Sequence, residues 1–259
     1  MACGCLGLWR GERVITLENL TVSYRQHPAL HHISGHFAAG SLSAVIGPNG
    51  SGKSTLLKSI MGLEPTSGGT ISLSTTPAQM AYLPQLAEVD RSYPISVLDC
   101  VLQGFWQKHG AFCGLSESHL LQVQMAIKTV GLEGFERRPI GNLSSGQFQR
   151  VMFARMFVQD AQLILLDEPF NAIDSKTCAT LLQLIEKWHQ QKRTVIAVLH
   201  DDEQVRAHFP DTLLLAREVV AWGRTIDVLT PNNLHKARAM AEAWDEQADF
   251  CKIDSAVVS

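Results

Sequence analysis

The chain is short of charge. Asp, Glu, Lys and Arg make up 18% of its 259 residues, and the formal net charge is -3. That balance argues against a protein that grips nucleic acid with a broad basic face, and no basic block or tail supplies one locally. Long apolar runs are also missing. The longest are short, as in LILL (163–166) and TVIAVL (194–199), against the ~20 residues needed to cross a bilayer. The amino-terminal stretch MACGCLGLWRGER is too short and too weakly apolar for a secretory signal. A cytoplasmic protein that reaches a membrane only through a partner is therefore expected. No disulfide framework is expected either, because Cys3, Cys5, Cys100, Cys113, Cys178 and Cys251 are scattered through a chain without an export signal. Cys3 and Cys5 are close enough to share a metal but fall short of the usual four-ligand set. Repeats, low-complexity tracts and long heptad runs are absent.

What is present is a sequence that can build a core, with 46% apolar residues. ITLENLTVSY (15–24) alternates apolar and polar residues as a half-buried strand does. SLSAVI (41–46) predicts a strand and Ser51 to Met61 a helix closed by Gly62. TISL (70–73) and MAYLP (80–84) predict two further strands. From about Ser96 to Val158 the apolar spacing becomes helical, in SVLDCVLQGFW, HLLQVQMAIKTVGL and GQFQRVMFARMFV. Strand LILLD, helix 175–191, strand TVIAVLH, helix 201–208 and strand TLLLA follow. A two-strand piece, EVVAWG, and a polar helix from about Pro231 end the chain. The pattern predicts an α/β fold with a mainly parallel sheet and ligands at the carboxyl ends of its strands. The expected limits are 14–230 for this domain, with a helical subdomain inserted at about 92–160, and 231–259 for a terminal helix and tail.

Residues 47–54, GPNGSGKS, match GxxxxGK[ST] between a strand and a helix. In such a loop the backbone of Gly47, Pro48, Asn49, Gly50, Ser51 and Gly52 curls so that successive N–H groups and the helix start, through Thr55, hold phosphates. Lys53 would reach the β- and γ-phosphates, and the Ser54 hydroxyl would bind Mg²⁺. LILLDEP (163–169) then places two acids after a buried strand. Asp167 is positioned to hold Mg²⁺ through water, and Glu168 to act as general base on the attacking water. Two adjacent acids also suit a helix cap, but Pro169 follows at once. His200, ending the next strand, is placed either as a surface group or as a stabiliser of γ-phosphate charge. Gln85, after MAYLP, is an amide able to touch both Mg²⁺ and the water, where the chain leaves the sheet for the helical part.

LSSGQ (143–147) opens another helix and could bind a second anion. With it, the series GPNGSGKST, YLPQ, LSSGQFQR, LILLDEP, NAID and LHD at 199–201 resembles an ABC-type ATPase, in that family's order and over most of the chain. The resemblance implies a phosphate-loop NTPase with a RecA-like, mainly parallel core, an antiparallel β part near the amino terminus and an inserted helical subdomain. It implies ATP and Mg²⁺ as ligands and two copies packed head to tail, so that Ser144, Ser145, Gly146 and Gln147 of one copy face the ATP held by the other. Each ATP is then clamped by two chains, which is why one chain needs two anion sites. Tyr24 resembles the aromatic that stacks on adenine, although a strand-end tyrosine also serves as core. Serine at 145 departs from the family's usual glycine and suits the site if φ there is negative. Asn171 and Ile173 replace serine and leucine, while Asp174, tied to communication between the two sites, is retained.

The resemblance further implies an integral-membrane permease docked on the helical part, with SYPISVLDCVLQGFW (92–106) as the coupling surface and Tyr93, Phe105 and Trp106 as contacts or as core. That stretch and FPDTLLLAREVVAWGRTIDVLTPNNL (209–234) resemble the ATPases of zinc and manganese importers, with an exported substrate-binding protein as indirect partner. An iron-chelate importer is an alternative cargo class. HHISGH (31–36) has three histidines but no neighbouring Cys or carboxylate in the sequence to complete a metal site. The competing classes are a soluble ATPase of the same family acting on nucleic acid or the ribosome, and a regulator that binds ATP without hydrolysis. A single cassette without a basic block speaks against the first, and Glu168 with His200 against the second.

Overall fold

The computed structural model describes residues 12–24, 27–110, 116–171 and 173–243. Cys3, Cys5, Cys113 and Cys251, with the expectations placed on the first residues and the final tail, lie outside that set. Cys100 and Cys178 are free thiols. The alternating stretch forms β1 (Arg13–Tyr24), paired antiparallel with β2 (His27–Ala38). β3 (Leu42–Ile46) is buried throughout and leads to α1 (Lys53–Ile60), which starts two residues later than the sequence suggests. β4 (Gly68–Leu73) returns to pair with β1, and β5 (Met80–Leu83) enters the main sheet.

The helical part follows as α2 (Val97–Leu102), α3 (Trp106–His109), α4 (Glu117–Thr129) and α5 (Ser145–Gln159). Serines at 96, 116 and 144 each accept a hydrogen bond from the backbone N–H three residues on, so all three longer pieces begin where the sequence offers a cap. Each such cap contributes about 1 kcal/mol. β6 (Leu163–Asp167), α6 (Ser175–Gln190), β7 (Thr194–Val198), α7 (Asp202–His208) and β8 (Asp211–Ala216) restore the α/β rhythm. β9 (Glu218–Arg224), α8 (Thr225–Val228) and α9 (Pro231–Glu242) finish the described chain.

Two sheets result. One is antiparallel, in the order β2-β1-β4; the other runs β5-β6-β7-β3-β8-β9 and is parallel except for β9. EVVAWG is thus part of one strand running antiparallel to β8, not a two-strand piece. Because side chains alternate along a strand, Ile164 and Leu166 face the helical part while Leu163 and Leu165 face the antiparallel sheet and α1. Fully buried parallel strands read as unbroken apolar runs for this reason. Their common direction brings the ends of β3, β5, β6 and β7 to one edge.

Asp211 opens β8 opposite Arg224, with 8% of its surface exposed. Burial outweighs the attraction of Arg224 and pushes its carboxyl up from 3.8 to about 6. Because the folded-state value lies above the unfolded one, stability is fullest below pH 4 and falls as pH rises through about 6. Asp211→Asn should therefore stabilise the protein at pH 7.5, by up to about 3 kcal/mol, with the gain shrinking toward zero near pH 4. Urea midpoints of both proteins across that range check it; a gain independent of pH would point to packing instead.

Candidate functional site

The loop after β3 is shaped by two close approaches. A Cβ on Gly47 would lie 1.9 Å from the Leu215 carbonyl oxygen, and one on Gly52 would lie 2.4 Å from that of Ala29. Only glycine fits either place, and Gly52 also has φ 90. The Arg217 N–H donates to the Ser51 carbonyl at 3.0 Å, so the β8–β9 turn braces the loop from behind. Lys53 is 6% exposed, and its ammonium donates to the carbonyls of Gly47 (2.9 Å) and Pro48 (2.8 Å). Burial lowers its pKa, while Glu168 and Asp167 push it back up. The lysine head thus sits inside the curl of the loop, where phosphate oxygens would compete for it.

Asp167, the last residue of β6, has no solvent exposure. Its Oδ1 accepts from the Ser54 hydroxyl at 3.0 Å and, at a longer 3.5 Å, from the Gln85 amide; its Oδ2 accepts from the Tyr82 hydroxyl at 3.2 Å. Burial raises the pKa of Asp167, and the hydrogen bonds from Ser54, Gln85 and Tyr82 pull it down. Burial, with Asp167 and Glu88, raises the pKa of Tyr82 well above the ordinary phenol range, which keeps its hydroxyl a donor. Ser54, Gln85 and Asp167 form a compact set of oxygen donors, the chemistry that Mg²⁺ selects. The residues present therefore fit that ion.

Glu168 follows in the left-handed region, φ 51, which turns its carboxylate away from the strand line. Its Oε1 lies 2.8 Å from His200 Nε2 and accepts from Gln85 Nε2 at 3.0 Å. Its Oε2 accepts from the Asn171 amide at 3.2 Å. The fold therefore brings together Lys53, Ser54, Gln85, Asp167, Glu168 and His200 from the ends of four strands. Tyr82 and Asn171 join them without having been singled out from the sequence for this site. A signal for Tyr82 existed: period two puts it on the face of Leu163, Leu165 and Asp167, with Leu165 as its register partner.

Tyr24 ends β1, is 44% exposed, and has Thr55 and Glu64 as hydrogen-bonding neighbours. Burial raises its pKa, and Glu64 reinforces that against Thr55. It is a surface tyrosine beside the start of α1, not a core one. The LSSGQ group is separate. Ser144 caps α5, accepting from the Gln147 N–H at 3.2 Å, and the Gln147 amide oxygen accepts from the Ser144 N–H at 3.0 Å. These bonds are internal to the turn and do not reach the phosphate loop. Ser145 is the first residue of the helix and is not among the positive-φ residues, the condition a serine there requires. Among the described residues a Cβ on Gly146 would meet only Ile173, at 3.5 Å, so none of them demands glycine.

HHISGH lies within β2. A carboxylate does come near: Glu218 Oε1 is 2.9 Å from His31 Nδ1. Among the described residues, however, no group of three or more His, Cys, Asp or Glu is arranged to hold a metal. Of the aromatics in 92–106, Tyr93 (64%) and Trp106 (49%) are exposed, whereas Phe105 is core at 5%. A cavity of 190 Å³ opens beside Gly47, Pro48 and His200, closed by Leu234, Ala237 and Arg238 of α9. It is smaller than the ~300–1,000 Å³ of an enclosing ligand pocket.

Residues 30–171 match a family model described as ABC transporter. The manganese transport system ATP-binding protein MntB of Listeria monocytogenes is 37% identical over 226 residues, 85% of this chain and 94% of that protein. The zinc transport system ATP-binding protein TroB of Treponema pallidum is 36% identical over 228 residues, 86% of each. Among solved structures, a dimeric post-hydrolysis state of the ATP-binding cassette MJ0796, bound to ADP and Pi, aligns with a TM-score of 0.73 at 26% identity, covering 82% of this chain and 98% of that one.

Lys53→Met keeps the length of the side chain and removes the ammonium. It should weaken binding of a fluorescent nucleoside triphosphate by about 10²-fold, as expected for loss of a charge-assisted contact, while circular dichroism stays unchanged. Near-normal affinity would place the phosphates elsewhere.

Proposed function

The chain belongs to the ABC transporter family of ATP-binding subunits, and on that premise we propose that it hydrolyses ATP with Mg²⁺ as one half of a two-chain sandwich driving a manganese or zinc permease. The observation that carries the reading is the convergence on Glu168. Its carboxylate is held by His200 at 2.8 Å and Gln85 at 3.0 Å, and Gln85 also donates to Ser54 at 2.9 Å.

In this reading Lys53 exchanges the loop carbonyls for β- and γ-phosphate oxygens. Ser54, Gln85 and Asp167 hold Mg²⁺, which when bound offsets charge on those oxygens. Glu168 takes the proton of the attacking water, a role worth about 10²–10⁴ in rate. His200 fixes the base and faces the γ-phosphate, and Asn171 restrains its other oxygen. Tyr24 supplies a flat face for the adenine.

The open phosphate loop and Gly146 argue for the second copy. The glycine is not crowded within its own chain, so its small size serves something from outside. Ser144, Ser145, Gly146 and Gln147, at the positive end of α5, meet the γ-phosphate held by the other chain. A helix end contributes about 0.3–1 kcal/mol, up to ~2 when partly buried. Such contacts exist only with ATP in place and so favour the closed pair.

Exposed Tyr93 and Trp106 on the helical part suit a hydrophobic permease segment. No helix of the described residues is long and apolar enough to cross a membrane, and the proposed location is peripheral, on the cytoplasmic face. The relatives named for manganese and zinc transport support the cargo class. The cargo passes through the permease, delivered by an exported binding protein, and does not bind this chain.

Glu168→Gln should retain ATP binding, lose turnover by about 10²–10⁴, and elute as a dimer with saturating ATP and Mg²⁺. A monomer under those conditions counts against the sandwich. Ser144→Arg should abolish turnover while each chain still binds nucleotide; unchanged turnover removes LSSGQ from the site. Co-reconstitution with the permease should give ATP-dependent uptake of Mn²⁺ or Zn²⁺, and uptake of a chelated iron instead would reassign the cargo.

A further inference from the structure

We propose that Tyr82 is a positioning residue of the ATPase site, its hydroxyl fixing one oxygen of Asp167 so that the other faces the metal position. The proposal rests on the ATPase reading and adds a residue to it. Asp167 has no solvent to turn to, and its three hydrogen-bond partners among the described residues are of two kinds. Ser54 and Gln85 meet Oδ1, and both have other work: Gln85 donates to Ser54 and to Glu168, at 2.9 and 3.0 Å. Both are also the residues that would turn toward Mg²⁺ when ATP enters. Tyr82 meets Oδ2 alone, at 3.2 Å.

The origin of the tyrosine matters. It projects from within β5, whose backbone is paired in register with β6, Tyr82 opposite Leu165. Asp167 lies two residues further along the same face of β6, the diagonal neighbour that a long side chain reaches. A group anchored inside a sheet holds its partner more tightly than one on a loop. Removing the hydroxyl leaves a buried carboxylate oxygen without that donor. The carboxylate is then free to rotate about its last bond once Ser54 and Gln85 turn away.

Tyr82→Phe deletes one oxygen from a half-buried ring. The measurement is binding of a fluorescent ATP analogue, first in EDTA and then titrated with Mg²⁺, alongside the melting temperature. The expected result is an unchanged affinity in EDTA and a modestly lowered melting temperature from the lost donor, with the half-saturating Mg²⁺ concentration raised about tenfold, the scale of losing an outer-shell partner. An unchanged Mg²⁺ requirement overturns the proposal and leaves the ring as packing. An equal loss of affinity with and without Mg²⁺ overturns it too, because the damage is then to the fold. If the wild-type protein itself shows no Mg²⁺-dependent binding, the ATPase reading fails and the role of Tyr82 falls with it; that result is separable because it needs no variant.

Discussion

A carboxylate without solvent sets the terms for the rest of the site. Asp167 ends a buried strand with no exposure, and an isolated charge there would be strongly disfavoured. The surrounding residues answer that constraint. Ser54 comes from the first turn of α1, Gln85 from the exit of β5, and Tyr82 from β5 itself, while the Lys53 ammonium adds opposite charge nearby. The lysine is in turn held by the carbonyls of its own loop. These arrangements depend on β3, β5 and β6 running parallel, since reversing any of them would carry its group to the far edge of the sheet.

The proposed catalytic groups and the LSSGQ turn meet different requirements. Lys53, Ser54, Gln85, Asp167, Glu168 and His200 are assembled within one chain and can be understood from its hydrogen bonds. Ser144 and Gln147 cap one another, and among the described residues a Cβ on Gly146 would make only ordinary contact, with Ile173. A small residue that none of the described chain demands suits a surface shaped for something else. In the proposed sandwich, the triphosphate held by the second copy would supply that something.

Much of this was legible in the residues. The phosphate loop, the acids after LILL and the histidine after TVIAVL each combine a buried strand with a polar terminus, and period and spacing suffice to find them. β2 was harder, because HPALHHISGHFA breaks alternation with polar residues and bulges against β1, including His32 at φ 53. EVVAWG is too short to reveal whether it pairs with itself or with β8. Phe105 and Trp106 are adjacent aromatics, yet the 3₁₀ turn at Gln103–Phe105 sends one inward and leaves the other half exposed. Tyr82 was visible within YLPQ, but its partner lies on a different strand. Glu218 beside His31 likewise needs the β9–β2 proximity that only tertiary folding provides.

Two glutamines of α5 are pinned to the core: Gln149 donates to the Pro169 carbonyl at 2.8 Å, and Gln159 to that of Met80 at 2.9 Å. Pro169 is the next residue after Glu168. The helix is thus tied by its flank to the peptide beside Glu168, and in the proposed sandwich its leading tip would rest on the opposite copy's triphosphate. In that proposed pair, a displacement at either nucleotide would reach the other, so the two sites would act in concert.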